Sequence, residues 1–108
     1  MKVLIAILAF SAALVAAALA APPAGPATVT FSARMGETTF PHALHQQLKI
    51  ACETCHHTGI EPAPRCATCH GPQENAPELK DAFHRQCVGC HHEREAGPRG
   101  CRDCHRKP

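Results

Sequence analysis

Four copies of Cys-x-x-Cys-His stand in the second half of this 108-residue chain: Cys52-Glu53-Thr54-Cys55-His56, Cys66-Ala67-Thr68-Cys69-His70, Cys87-Val88-Gly89-Cys90-His91 and Cys101-Arg102-Asp103-Cys104-His105. Two thiols three positions apart share one helical turn, and the His that follows stands beside them. That spacing suits covalent attachment of a porphyrin: the thiols add to its two vinyl groups and the His gives the iron its proximal nitrogen. Cys-x-x-Cys pairs also hold structural zinc or act as redox dithiols, but neither use requires the trailing His. With nine His in 108 residues, four chance hits are a coincidence on the order of 10^-5 to 10^-4. The pattern predicts four covalently bound haem c groups. They are attached at Cys52 and Cys55, Cys66 and Cys69, Cys87 and Cys90, and Cys101 and Cys104, which uses all eight cysteines. The proximal iron ligands are His56, His70, His91 and His105.

Five histidines remain: His42, His45, His57, His84 and His92. Four of them would close the sixth position of every iron, and Met35 is a weaker candidate. Iron held by two imidazoles has no vacancy for a substrate and lacks the Met thioether that raises potential. In a small domain with exposed haems, this favours low reduction potentials. Spacing limits the pairings. His56 and His57 are adjacent and cannot sandwich one iron, so His57 serves another haem. His42 and His45 share one helical face with Cβ atoms about 5–6 Å apart, and they point to two different haems. Such arrangements make the haems neighbours.

The elements that position these residues are short. Thr28 to Phe31 and Thr38 to Phe40 read as strands joined by a turn around Met35-Gly36. Pro41 opens a helical turn carrying His42 and His45. A Gly- and Pro-rich link, 59–64, joins the first two motifs. From Pro77 to His91 the residues Leu79, Ala82, Phe83, Cys87 and Cys90 recur near the helical period, with Asn75 or a neighbour as cap. The segment 95–100 is another Gly/Pro loop, leading to the fourth motif and a basic tail. The stretch from Cys52 to His70 recurs 35 residues later as Cys87 to His105, as in a duplicated two-haem unit. By that symmetry alone, His92 is the counterpart of His57 and could serve the fourth haem.

Lys2 is the only charge in the first 20 residues, Val3 to Ala20 is apolar, and Ala18-Leu19-Ala20 supplies a small-x-small cleavage site. This reads as a cleaved secretory signal peptide over 1–20, followed by a flexible leader over 21–27 and a haem-binding domain over 28–108. The mature protein is exported to the periplasm, with no membrane insertion after cleavage. Three Phe, no Trp and no Tyr in that domain cannot build an ordinary core, so haems must act as both core and staples. The apoprotein should be largely unfolded. The mature chain carries 10 Lys and Arg against 9 Asp and Glu. Eight propionates and four irons bring the holoprotein to roughly −3 oxidised and −7 reduced. Residues 85–108 hold six positive and three negative groups. Arg94, Arg99, Arg102, Arg106 and Lys107 around the fourth site form a docking patch for an acidic partner or neutralise local propionates.

Phe40-Pro41-His42-Ala43-Leu44-His45, the CxxCHH at Cys52 to His57, and Ala82-Phe83-His84 before Cys87 to His91 resemble the class III cytochromes c, the tetrahaem cytochrome c3 family. The resemblance covers nearly the whole mature sequence. It implies a small multihaem cytochrome with mainly short α-helices and irregular loops around four haems and a short N-terminal β-hairpin. It also implies the axial pairs His42/His56, His57/His70, His45/His91 and His84/His105, leaving His92 spare. Many cytochromes c3 have four residues between the cysteines at haems 2 and 4. Here all four motifs have two, which is similar to the type II branch and to the related three-haem cytochromes c7.

The function so implied is that of a periplasmic, monomeric, low-potential electron carrier in anaerobic respiration. It is not an enzyme and binds no nucleic acid. Its partners would be a hydrogenase, a formate dehydrogenase or a membrane cytochrome complex. The alternative is a small multihaem reductase of metal ions or oxyanions, which needs an iron with an open position. A wire-like subunit would need haems exposed at both ends.

Overall fold

The computed structural model describes residues 24–60 and 63–107. The expected signal peptide, 1–20, and the first three leader residues lie outside the described residues. Among the described residues no helix is long and apolar enough to cross a membrane.

An antiparallel hairpin comes first, β1 (Val29–Phe31) and β2 (Thr38–Phe40), with Val29 opposite Phe40, Thr30 opposite Thr39 and Phe31 opposite Thr38. Strand alternation turns Val29, Phe31, Thr38 and Phe40 to the half-buried face and both central Thr outward. A ribbon this short is marginal alone, and two tertiary contacts support it. Phe31 packs against Phe83 with ring centroids 4.8 Å apart. Glu37 N–H donates to the Arg106 carbonyl at 3.0 Å and Arg106 N–H to the Glu37 carbonyl at 2.9 Å, which fastens the C-terminal segment to the hairpin. Gly36 stands at this junction with φ +120°, and a Cβ there would lie 2.6 Å from the Arg106 carbonyl oxygen. Only glycine fits.

Pro41 leads β2 into α1 (His42–Gln47). The helix stops through Lys49 at φ 60°, where Lys49 N–H donates to Gln46 O (3.0 Å) and Ile50 N–H to His45 O (3.3 Å). This left-handed stop satisfies the last carbonyls of the turn. The first two motifs are single turns: α2 (Cys52–Cys55) and a 3-10 turn, Cys66–Thr68.

The third motif belongs to a longer helical run made of α3 (Leu79–Phe83), a π-turn (His84–Val88) and α4 (Gly89–Glu93). The expected helix over 77–91 therefore starts two residues later and ends two residues later. Its cap position is Glu78, with no side-chain capping bond, rather than Asn75. The reason is local: the Pro77 carbonyl, which would join the helix ladder, lies 2.9 Å from His70 Nδ1 instead. The π-turn was not legible from a 3.6-residue period. On this one run His84 meets His105 and His91 meets His45. The fourth motif is again one turn, α5 (Cys101–Cys104).

Short helices, loops and one two-stranded sheet thus make up the described residues, as the sequence leads one to expect. Among them no side chain is fully buried, and Met35, Leu44 and Leu48 are exposed. Side chains alone do not assemble a core here.

Candidate functional site

Each isolated motif turn opens after an extended residue (Ala51, Arg65 or Gly100). It closes when the His N–H donates to the carbonyl of the first Cys: His56 to Cys52 at 2.8 Å, His70 to Cys66 at 2.9 Å and His105 to Cys101 at 2.9 Å. One hydrogen-bonded turn therefore holds two thiols and an imidazole together. The first Cys of each motif is exposed, whereas His56, His70, His91 and His105 are all half-buried.

The imidazoles meet in four pairs. Ring centroids are 6.3 Å apart for His42 and His56, 5.9 Å for His57 and His70, 6.3 Å for His45 and His91, and 6.1 Å for His84 and His105. Each pair joins one motif His to one His from outside the Cys-x-x-Cys-His units, in the combinations that the resemblance implies. Met35 is in none of them, and among the described residues no imidazole lies opposite His92. Two imidazoles bound on opposite sides of one metal, each nitrogen about 2 Å from it, have centroids about 6 Å apart. The four separations fit an iron between each pair. A zinc cage would need three or four ligands converging, and among the described residues no group of three or more His, Cys, Asp or Glu does so. None of the eight cysteines is joined in a disulfide.

Backbone carbonyls orient five of these rings through Nδ1. His42 bonds to Pro26 O (2.9 Å), His45 to Pro41 O (3.0 Å), His70 to Pro77 O (2.9 Å) and His91 to Pro98 O (2.6 Å). His105 lies 3.2 Å from Gly36 O and 3.3 Å from Thr38 Oγ1. A carbonyl can only accept, so Nδ1 carries the proton and the Nε2 lone pair is left for a metal. Gly97, at φ +80°, lets the loop carrying Pro98 lie against His91, where a Cβ would be 3.0 Å from the ring. Sequence reasoning missed these partners, since a carbonyl leaves no mark in residue type. One trace existed: a proline stands seven residues after both His70 and His91.

Two of the attachment sites are close neighbours. Crowding by protein atoms pushes the Cys55 thiol above its ordinary value, and Cys90 of the third motif raises it further. The Cys87 thiol is raised by the same crowding and then by Cys55. Both residues keep an exposed surface, so the desolvation is partial. Gln86 Nε2 also reaches Cys55 Sγ at 3.7 Å. Beside the fourth motif lies a cleft of about 610 Å³ lined by Met35, Cys101, Arg102, His105, Arg106 and Lys107. Three cationic residues and no carboxylate line it, which suits a group carrying anionic arms.

A family model described as the class III cytochrome C family matches residues 18–106. A cytochrome c7 of Geobacter metallireducens is 38% identical over 79 residues, covering 73% of this chain and 74% of that protein. A high-molecular-weight cytochrome c of Nitratidesulfovibrio vulgaris is 37% identical over 90 residues, covering 72% of this chain but 16% of that much longer protein. Among solved structures, the triheme cytochrome PpcA of Geobacter sulfurreducens matches with a TM-score of 0.54 at 32% identity, over 76% of this chain and all of that one.

Proposed function

The chain belongs to the class III cytochrome c family, a family of multihaem c-type cytochromes, and from that premise we propose that it is a periplasmic, low-potential carrier of electrons holding four haems. Covalent c-type haem follows from the family and the cysteines. Support for four groups, where the triheme relative has three, comes from four complete motifs and four imidazole pairs. The observation that carries the reading is that every motif His faces a second His at 5.9 to 6.3 Å.

In this reading Cys52, Cys55, Cys66, Cys69, Cys87, Cys90, Cys101 and Cys104 hold the groups. The irons would be held by His42 with His56, His57 with His70, His45 with His91, and His84 with His105. When bound, haem iron takes up and releases one electron between its ferric and ferrous states. The protein's part would be to fix the imidazoles and to offer each iron two of them. It also holds neighbouring sites close together through the adjacent His56 and His57 and through His42 and His45 on one helix. A chain so arranged has no position for a substrate on iron, which favours a carrier over a reductase of metal ions or oxyanions. The cationic residues Arg94, Arg99, Arg102, Arg106 and Lys107 would meet an acidic redox partner, such as a hydrogenase, a formate dehydrogenase or a membrane cytochrome complex.

Carbon monoxide added to the reduced protein tests this. A carrier with every iron closed takes up none. Uptake by the native protein would mark an open iron and favour the reductase.

A further inference from the structure

The short segment between the expected signal peptide and the hairpin is fastened at four points. Gln46 Nε2 donates to the Ala24 carbonyl at 2.7 Å, and Ala24 N–H donates to Gln46 Oε1 at 2.9 Å. The glutamine amide thus pairs with the backbone as a neighbouring strand would. Two residues on, the Pro26 carbonyl accepts from His42 Nδ1 at 2.9 Å, and the Ala27 carbonyl accepts from Ala43 N–H at 3.0 Å. Ala43 N–H is one of the first-turn donors that a helix cannot satisfy itself. Gly25 turns the chain between these points at φ +73°, and a Cβ there would lie 3.4 Å from His42 Cε1. The Gln46 amide nitrogen also lies 3.3 Å from both ring nitrogens of His42.

We infer that Gln46 is a positioning residue for the first haem: by clamping Ala24 it straps residues 24–27 across His42 and holds that imidazole in the orientation and tautomer that bind iron. The inference rests on the axial role proposed for His42. Without the clamp, the Pro26 carbonyl is no longer held at Nδ1, so the proton can move to Nε2 and the ring can rotate away. The other carbonyl-supported ligands have different anchors. His45 uses Pro41 at the start of its own helix, His70 and His91 use loops beyond their motifs, and His105 uses the hairpin. Among the described residues, only His42 depends on chain that precedes the hairpin. The orientation of His42, and with it the hold on the first haem, would therefore be tied to residues 24–27, ahead of the hairpin.

The test compares carbon monoxide uptake by the reduced holoprotein in four variants. His42→Ala marks the uptake of one opened haem. Gln46→Ala, and a deletion of residues 22–25 that keeps Ala21 followed by a proline, both remove the Gln46–Ala24 pair and keep His42 and Pro26. Gln47→Ala, at an exposed neighbour, is the control. Loss of a partner that orients a metal ligand typically costs about 10–100-fold in affinity. The expected result is uptake limited to one haem equivalent in both clamp variants, with none in the native protein or in Gln47→Ala. If His42→Ala opens one haem while both clamp variants behave as native, the strap is overturned and the ligand assignment stands. Uptake at several haems in Gln46→Ala would reveal general loosening and also overturn it. If His42→Ala takes up no carbon monoxide, the ligand assignment itself fails and the strap with it.

Discussion

An imidazole offers a metal only the nitrogen that its surroundings leave unprotonated, so the carbonyls of Pro26, Pro41, Pro77 and Pro98 bear on the chemistry as directly as the histidines they face. The histidines themselves were legible: residue type and spacing single out nine, assign four to the motifs and leave five for four places. The choice between His84 and His92 was not legible from repeat symmetry. Both histidines lie in the same helical run and both are exposed. What separates them is position, since His84 stands 6.1 Å from His105 and His92 faces no imidazole among the described residues. Replacing His84 by Ala is expected to convert one haem, and only one, to a high-spin form that binds carbon monoxide. His92→Ala should leave every haem low-spin in the visible spectrum of the oxidised protein. A high-spin haem in His92→Ala would reverse the assignment.

The elements act as short stiff brackets whose ends are set by unusual backbone. Lys49 and Glu95 stop their helices at φ 60° and 52° without the glycine that such positions favour. Relieving this strain with Lys49→Gly or Glu95→Gly should raise stability by about 0.5–1 kcal/mol in thermal melts of the holoprotein. Gly36 is the opposite case. Its missing Cβ makes room for the Arg106 carbonyl, and the same junction supports His105 Nδ1. Gly36→Ala should cost about 2–3 kcal/mol and change the spectrum of the fourth haem more than the others. The hairpin could be read from alternation and its turn, because both signals are local. The return of Arg106 to Glu37 could not, since it depends on where distant chain arrives, and the π-turn leaves no mark on a 3.6-residue period. The start of α3 escapes the helical period for a local reason, as the Pro77 carbonyl is held by His70, seven residues earlier.

Across the whole molecule, the two ends of the described chain do similar work: residues 24–27 lie over His42, and the segment through Arg106 closes on the hairpin beside His105. Between them the half-buried faces are small, and among the described residues no side chain is fully buried. Composition indicates as much, because three Phe and no Trp or Tyr after residue 20 leave little to pack. The fold is therefore expected to depend on its thioether-bound groups. A variant with all eight cysteines changed to alanine should show the far-ultraviolet circular dichroism of an unfolded chain, and a native-like spectrum would refute that dependence. The central claim is that all four motifs carry haem, in a family that also includes three-haem members. Intact-mass spectrometry of the purified mature protein tests it most directly. The expected mass is that of the chain from Ala21 plus four haems, whereas three haems or fewer on the fully matured protein would contradict the account.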